Sequence, residues 1–541
     1  MAIYMGLDSS TQSLTAVVIE VDGRSRKVLE QRSVRFDEEL VSYGCRNGVL
    51  AHPDPLVAHS DPLMWAEALD RLFEDLARKG AFPIGDLQAI AGSGQQHGSV
   101  YLNAAAVSRL STLDPAAPLV DQIQDIFSRS TSPIWMDSST ADECAMITAE
   151  LGGDLELAGL TGSKAFERFT GPQIRKFHAE DPTGYAATAR IHLVSSFMAS
   201  LLAGADAPID PGDGAGMNLM DLREKDWAPA ALDATAPGLG DKLPTIEESW
   251  SVVGPLSNFW VERYGCSPKT RVICWSGDNP CSLVGVGLVK SGRLAISLGT
   301  SDTLFGYLPE PRVDPAMEGH TFGAPTGDYM SLICFKNGSL AREKICKAAG
   351  LNWDGFSAAL RSTRPGNGGA ILLPWFEPEI TPNVQEPGVR RYGLSEDDGP
   401  ANVRAVVEAQ MMTMAIHSGW MGVKPESIYA TGGASCNKEI LHIMSQVFDA
   451  EVYQFKVGNS AALGAALRAY HADEIAAGGS ISWDEVIADF AEPVAESRIS
   501  PEPELVAVYD ELKSVYEACE EHALGARGGD PLEKIEAFRT R

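Results

Sequence analysis

The sequence predicts an α/β protein built from two related domains, and three observations carry that prediction. Strand-like and helix-like segments alternate along most of the chain. Its 541 residues exceed what one hydrophobic core usually organises. A strand–turn–strand design near the N-terminus, GLDSSTQSLTAVVIEVDG, returns near the middle as RLAISLGTSDTLFGY. The copies lie about 290 residues apart, too far for a solenoid repeat, so each is assigned to its own domain, with both tips facing one ligand.

Composition narrows the class. Hydrophobic content of 44% and charged content of 22% are those of a soluble globular protein. A formal charge of −29 argues against a nucleic-acid duplex as partner, because neutralising phosphates requires a basic surface. The nine cysteines are scattered and contain no CxxC pair, which suits free thiols in a reducing, cytoplasmic compartment. No signal peptide is visible, and no apolar run reaches the roughly 20 residues of a membrane span.

The opening stretch reads as two strands, Ala2 to Leu7 and Leu14 to Val21, around a polar tip. Small hydroxyl residues at such a tip suit an ordinary turn, and they also suit an anion cradle of backbone N–H groups. Asp8 repels phosphate directly, so its presence there makes sense with a divalent cation or its water between the two. The segment from Asp61 to Lys79 predicts a helix capped by Asp61, with Pro62 in its first turn and Gly80 ending it. Leu87 to Ala91 predicts a strand that runs into SGQQHGSVY, and function often sits at such strand ends.

In the stretch VICWSGDNPCSLVGVG, a strand delivers Asp278 and Asn279 to the start of a small-residue helix. Two readings stand: the pair caps that helix with Pro280 at its first position, or Asp278 is a base that deprotonates a sugar hydroxyl. In IYATGGASCN, two glycines between a strand and a helix start permit close backbone approach to a base or ribose, or serve sterics alone. The segment from Pro503 to Ala523 predicts a helix with one apolar face, for packing on its own domain, with a subunit contact as the alternative.

In this order, DSSTQS, GQQHG, GDNP, SLGTSDT and GGASCN resemble the FGGY family of carbohydrate kinases, over roughly Tyr4 to His471. Within it, SGQQHGSVY, PIWMDSST, LTGSKAFERFTG, PIDPGDGAGMNL, CFKNGSLAREKI and NSAALGAALRAYHA resemble the subgroup that acts on xylulose. The resemblance implies two actin-like (ribonuclease H-like) domains facing a deep cleft. Residues 1–290 would hold mainly sugar, and 291–541, with a helical tail, mainly ATP. It implies ATP with Mg²⁺ as cofactors and D-xylulose as substrate, with ribulose or another ketose or polyol as the alternative. GQQHG lacks the Arg and Glu that follow the Gln in glycerol kinases, so glycerol is disfavoured. Many relatives form homodimers.

By motif, the resemblance makes Asp278 the catalytic base and places His97, Arg168, Asp278 and Asn279 on the sugar. It puts Asp8 near Mg²⁺, through water, and Ser10, Thr11 and Thr300 in the phosphate hairpins. Gly432, Gly433, Ala434 and Asn437 would line the adenosine pocket, with Trp353 flanking the adenine. Asp137 stays unassigned: many bacterial relatives carry Arg two residues later, where this chain has Ser139. A non-catalytic nucleotide-binding clamp is the reading from another class, and retention of Asp278, Asn279 and His97 speaks against it.

Overall fold

The computed structural model describes residues 1–23, 25–455, 458–526 and 530–540. The first sheet starts from β1 (Ala2–Ser9), β2 (Ser13–Asp22) and β3 (Ser25–Arg35), an antiparallel meander rich in Ile, Val and Leu. To it are added β4 (Leu87–Gly94), parallel to β1, then β5 (Val252–Pro255) and β6 (Arg271–Ile273), with β7 (Ser276–Gly277) pairing the end of β4. The spatial order is β5-β6-β4-β1-β2-β3.

The second sheet repeats the plan. Strands β8 (Arg293–Leu298) and β9 (Asp302–Leu308) form its hairpin, β10 (His320–Gly323) is an edge strand, and β11 (Tyr329–Phe335) joins β10 to β9. Then β12 (Ser427–Thr431) and β13 (Glu451–Gln454) add in parallel, in the order β10-β11-β9-β8-β12-β13. Three antiparallel strands followed by two parallel ones recur in both halves, as the duplicated hairpin predicts.

Alternation along the strands divides the core. In β1, Ile3, Met5 and Leu7 face an outer cluster with helix α1 (Pro62–Lys79), whereas Tyr4 joins the cluster shared with the second sheet. Helix α1 is built as its sequence predicts: the Asp61 side chain accepts from the Leu63 N–H, Pro62 occupies the first position, and Gly80 closes the end.

Two helices join the halves. Helix α2 (Asp278–Gly285) follows the last strand of the first sheet, and α3 (Ser460–Ala476), although late in the chain, lies against α2, β1 and β4. Small residues let the backbones approach. A methyl group on Gly464 would overlap the Cys281 carbonyl, one on Gly285 the Ser460 carbonyl, and one on Gly6 the Ala462 carbonyl. From α3, the buried Arg468 guanidinium donates to the carbonyls of Gly92 (3.1 Å), Ser249 (2.9 Å) and Cys274 (2.6 Å). Residues of the second half by sequence thus complete the packing of the first.

The C-terminal helix α4 (Pro503–Ala523) keeps its predicted bounds and packs on its own domain, burying Tyr509, Leu512, Val515, Tyr516 and Cys519. His417 ties it down, lying 3.1 Å from Glu318 and 2.8 Å from Glu520. Burial opposes its charge, yet the two glutamates push its pKa up to about 10, so it bridges them as an imidazolium. Among the described residues no helix is long and apolar enough to cross a membrane, and all nine cysteines are free.

Gly464→Val should disrupt the α2–α3 crossing, because the only way to seat the side chain is to separate two backbones. We expect a loss of at least about 2 kcal/mol in denaturant unfolding. A midpoint unchanged from the parent protein would show that the crossing tolerates separation.

Candidate active site

The predicted site residues gather where the parallel strands of each sheet end, the usual place for a ligand crevice in α/β proteins. Asp8 is near the end of β1, His97 follows β4, Asp278 follows β7, Thr300 follows β8, and Gly432 follows β12.

Asp278 is the first residue of α2, and Gly277 holds the cap position. The capping expectation is therefore corrected: no side chain caps this helix, and Pro280 is its third residue rather than its first. One carboxylate oxygen, Oδ1, accepts from the Asn279 backbone N–H (2.9 Å) and from Asn279 Nδ2 (3.1 Å). Burial, then the nearby Asp8 charge, push the Asp278 pKa up to about 7. Asn279 is fixed in turn, its Nδ2 donating to Gln96 Oε1 at 2.8 Å.

Asp8 is buried, and burial raises its pKa. Its carboxylate accepts from the hydroxyls of Ser10 and of Ser93, the latter at 2.7 Å. Among the described residues it has no ion-pair partner, so the hydroxyls leave its charge uncompensated. A buried carboxylate served only by hydroxyls fits a divalent cation held through water.

The second hairpin differs. Asp8 lies on the outgoing strand of its hairpin, whereas Asp302 opens the returning strand and is locked to Arg342 by two bonds, 2.9 and 3.0 Å long. The expected likeness of the two tips holds for the backbone and fails for the acid. Ser10 and Thr11 are half-buried, and Thr11 Oγ1 accepts from the exposed Trp135 indole at 2.8 Å; Thr300 is exposed.

His97 adopts φ +71°, an uncommon conformation for a non-glycine residue and one that clusters at functional sites. Its ring stacks on Phe169 at 4.4 Å. Because a carbonyl only accepts, the 2.8 Å contact to the Gly216 oxygen assigns the proton to Nδ1 and leaves Nε2 as an acceptor. Burial, then Arg168, push its pKa down to about 3, so the ring is neutral. Arg168 lies over Phe166 (4.9 Å) and Phe169 (5.5 Å), forms no ion pair among the described residues, and contacts His320 Nε2 at 3.1 Å.

On the second sheet, Gly432 has φ +80°, and a methyl there would meet the Leu298 carbonyl, so this glycine is required by the turn itself. Gly433 is exposed and a methyl there would meet nothing. Ala434 and Asn437 are half-buried; Asn437 caps the following helix through the Glu439 N–H and donates to Ser357 Oγ at 3.0 Å. One turn before Ser357, Trp353 stands 51% exposed.

Asp137 has an architectural place. It accepts from the Ala58 N–H (2.9 Å), the Ser139 N–H (3.0 Å) and hydroxyl (2.6 Å), and Gln173 Nε2 (2.7 Å). Burial opposes its charge, but these bonds hold its pKa below the usual carboxylate range. Lys176 Nζ sits 2.8 Å from Ser139 Oγ, bringing a cation where Ser139 has none. Sequence reasoning missed Gln96, although it lies inside GQQHG, and it missed Ser93 and His320, whose roles depend on contacts distant in the chain.

Comparison with known proteins places the chain in a family. Residues 117–285 match the N-terminal domain of the FGGY family of carbohydrate kinases, and residues 294–472 match its C-terminal domain. Xylulose kinase of Mus musculus is 43% identical over 96% of this chain and 94% of its own length. Xylulose kinase 2 of Arabidopsis thaliana is 42% identical over 87% of each. A solved xylulose kinase from Rhodospirillum rubrum superposes with a TM-score of 0.78 at 20% identity, covering 96% of this chain and 99% of that one, which shows the shared fold. The chain belongs to the FGGY family of carbohydrate kinases.

Proposed function

We propose that this protein transfers the γ-phosphoryl group of ATP to the 5-hydroxyl of D-xylulose, giving D-xylulose 5-phosphate and ADP. The sugar is named by the similarity to xylulose kinases along nearly the whole chain. The observation that carries the chemistry is Asp278: a half-buried carboxylate at a strand end, with one oxygen engaged and a pKa near neutrality.

In this reading residues 1–290 bind sugar and 291–541 bind ATP, a division supported by the two sheets and the two family matches. Neutral His97 presents Nε2 to a sugar hydroxyl, Arg168 supplies N–H donors, and Asn279, whose two Nδ2 hydrogens go to Gln96 and Asp278, offers its Oδ1 as an acceptor. Asp278 Oδ2 takes the proton from the 5-hydroxyl as that oxygen attacks the γ-phosphorus, and the bond to the bridging β–γ oxygen breaks to release ADP. A general base near neutral pKa is suited to this task and contributes about 10² to 10⁴ in rate.

Ser10, Thr11 and Thr300 frame the phosphates with hydroxyls and backbone N–H groups. Asp8 would hold Mg²⁺, which when bound would supply positive charge to the phosphates. Gly432, Gly433, Ala434 and Asn437 form the adenosine pocket, and Trp353 offers an exposed ring to the adenine. We place the protein in the cytoplasm, a reading that nine free thiols support.

Asp278→Asn should lower turnover by about two to four decades while leaving nucleotide binding intact; near-normal turnover would remove Asp278 from the base role. Only the ionised base is active, so kcat/KM for sugar in the parent protein should fall as pH drops below about 7. A profile flat down to pH of about 5 would contradict the raised pKa. His97→Ala should raise the KM for sugar more than the KM for ATP. Equal rises would make His97 architectural.

A further inference from the structure

The proposed sugar contacts all come from the first half of the chain, but the partner of one of them does not. His320 opens β10, the edge strand of the second sheet, and is 2% exposed. Its Nε2 lies 3.1 Å from Arg168 Nη2 and its Nδ1 lies 3.1 Å from Ser163 Oγ. Its ring meets Phe166 edge-on at 4.8 Å and stacks with Phe322 at 5.6 Å.

A guanidinium has only donors, so the Arg168 contact requires a lone pair on His320 Nε2 and leaves the proton on Nδ1, which donates to Ser163. The ring is thereby held neutral in one tautomer, and burial together with Arg168 pushes its pKa down. The choice of partner matters. A carboxylate would pair Arg168 bidentately and occupy two of its N–H groups. A neutral imidazole fixes one N–H and leaves the charge uncompensated, with the remaining donors free for a ligand.

The backbone reinforces the contact. The Thr321 N–H donates to the Gly162 carbonyl at 3.0 Å, and Gly162, at φ +89°, has no space for a methyl beside the Thr321 oxygen. The Asn218 amide holds the same loop by donating to the Ser163 carbonyl at 3.0 Å. The segment that carries Arg168 is therefore stitched to an edge strand of the opposite domain.

We propose that His320 is a positioning residue for the sugar, supplied by the second domain, that aims Arg168 into the pocket and so makes sugar binding depend on the docking of the two domains. This rests on the reading of Arg168 as a sugar contact. Its consequence is that sugar affinity and domain docking are linked: a sugar held by Arg168 favours the docked arrangement, and loss of the His320 acceptor weakens sugar binding without touching the nucleotide site.

The test compares His320→Phe, which keeps an aromatic ring but no acceptor, with His320→Gln, whose amide oxygen can accept from Arg168, and with Arg168→Ala. The sugar KM should rise about tenfold in His320→Phe, the scale of one hydrogen bond to a charged group. The ATP KM should change less than about twofold, and His320→Gln should recover most of the loss. Added to Arg168→Ala, which itself raises the sugar KM, His320→Phe should have no further effect. In hydrogen exchange, sugar should slow the peptide containing the Thr321 amide in the parent protein and not in Arg168→Ala.

An unchanged sugar KM in Arg168→Ala would overturn the sugar-contact reading and this proposal with it. A raised sugar KM in Arg168→Ala with none in His320→Phe would overturn the proposal alone. Equal rises for sugar and ATP without rescue by His320→Gln would do the same, by showing a general disturbance. Should His320→Phe fail to fold, His320→Gln and His320→Asn decide, since the shorter amide falls short of Arg168 and should lose what the longer one keeps.

Discussion

Asp278 sits where it does because α2 and α3 cross with their backbones in contact. Backbone-to-backbone contact at Gly285 and Gly464 holds α2, with Asp278 at its head, at a fixed place against α3. Arg468 then pins α3 to three carbonyls of the first domain, replacing their water with a charged donor in a buried setting. Because α3 also follows the strands of the second sheet in sequence, the same helix belongs by packing to one half and by connection to the other. Nothing larger than hydrogen separates the two backbones there.

Around that crossing the site is assembled from charges left deliberately incomplete by their neighbours. Asp302 and Asp137 are fully hydrogen-bonded and serve the framework. Asp8 and Asp278 are close enough for the charge of one to raise the pKa of the other. Arg168 is half-buried among aromatic rings and meets a neutral histidine instead of a carboxylate. Isolated charges are costly to bury, and such residues concentrate where a ligand completes them. The contrast between Asp8 and Asp302, in hairpins of like backbone, separates an acid served only by hydroxyls from one locked to an arginine.

Much of this was legible in the sequence. Helix α1 and the strands of both hairpins follow from periodicity, capping residues and proline placement, all local effects. The duplicated motif pointed to one hairpin in each of two related domains, and both hairpins are there. What escaped was set by distant contacts: the Asp302–Arg342 pair spans 40 residues, and Arg168 and His320 are 152 apart. The capping expectation at Asp278 failed because Gly277 takes the extended cap position, which moves Asp278 and Pro280 into the helix. The place of Asp137 was hidden for the same reason as that of His320, since its partners Ala58 and Gln173 come from separate parts of the chain.

In the proposed reaction a sugar hydroxyl, activated at Asp278, receives phosphate from ATP. The most direct measurement is ADP production by the purified protein with ATP and Mg²⁺, comparing D-xylulose, D-ribulose, L-xylulose, glycerol and no sugar. The account predicts strong stimulation by D-xylulose above the rest of the panel. Preference for another sugar would keep the mechanism and change the substrate, whereas turnover equal with and without every sugar would contradict the account.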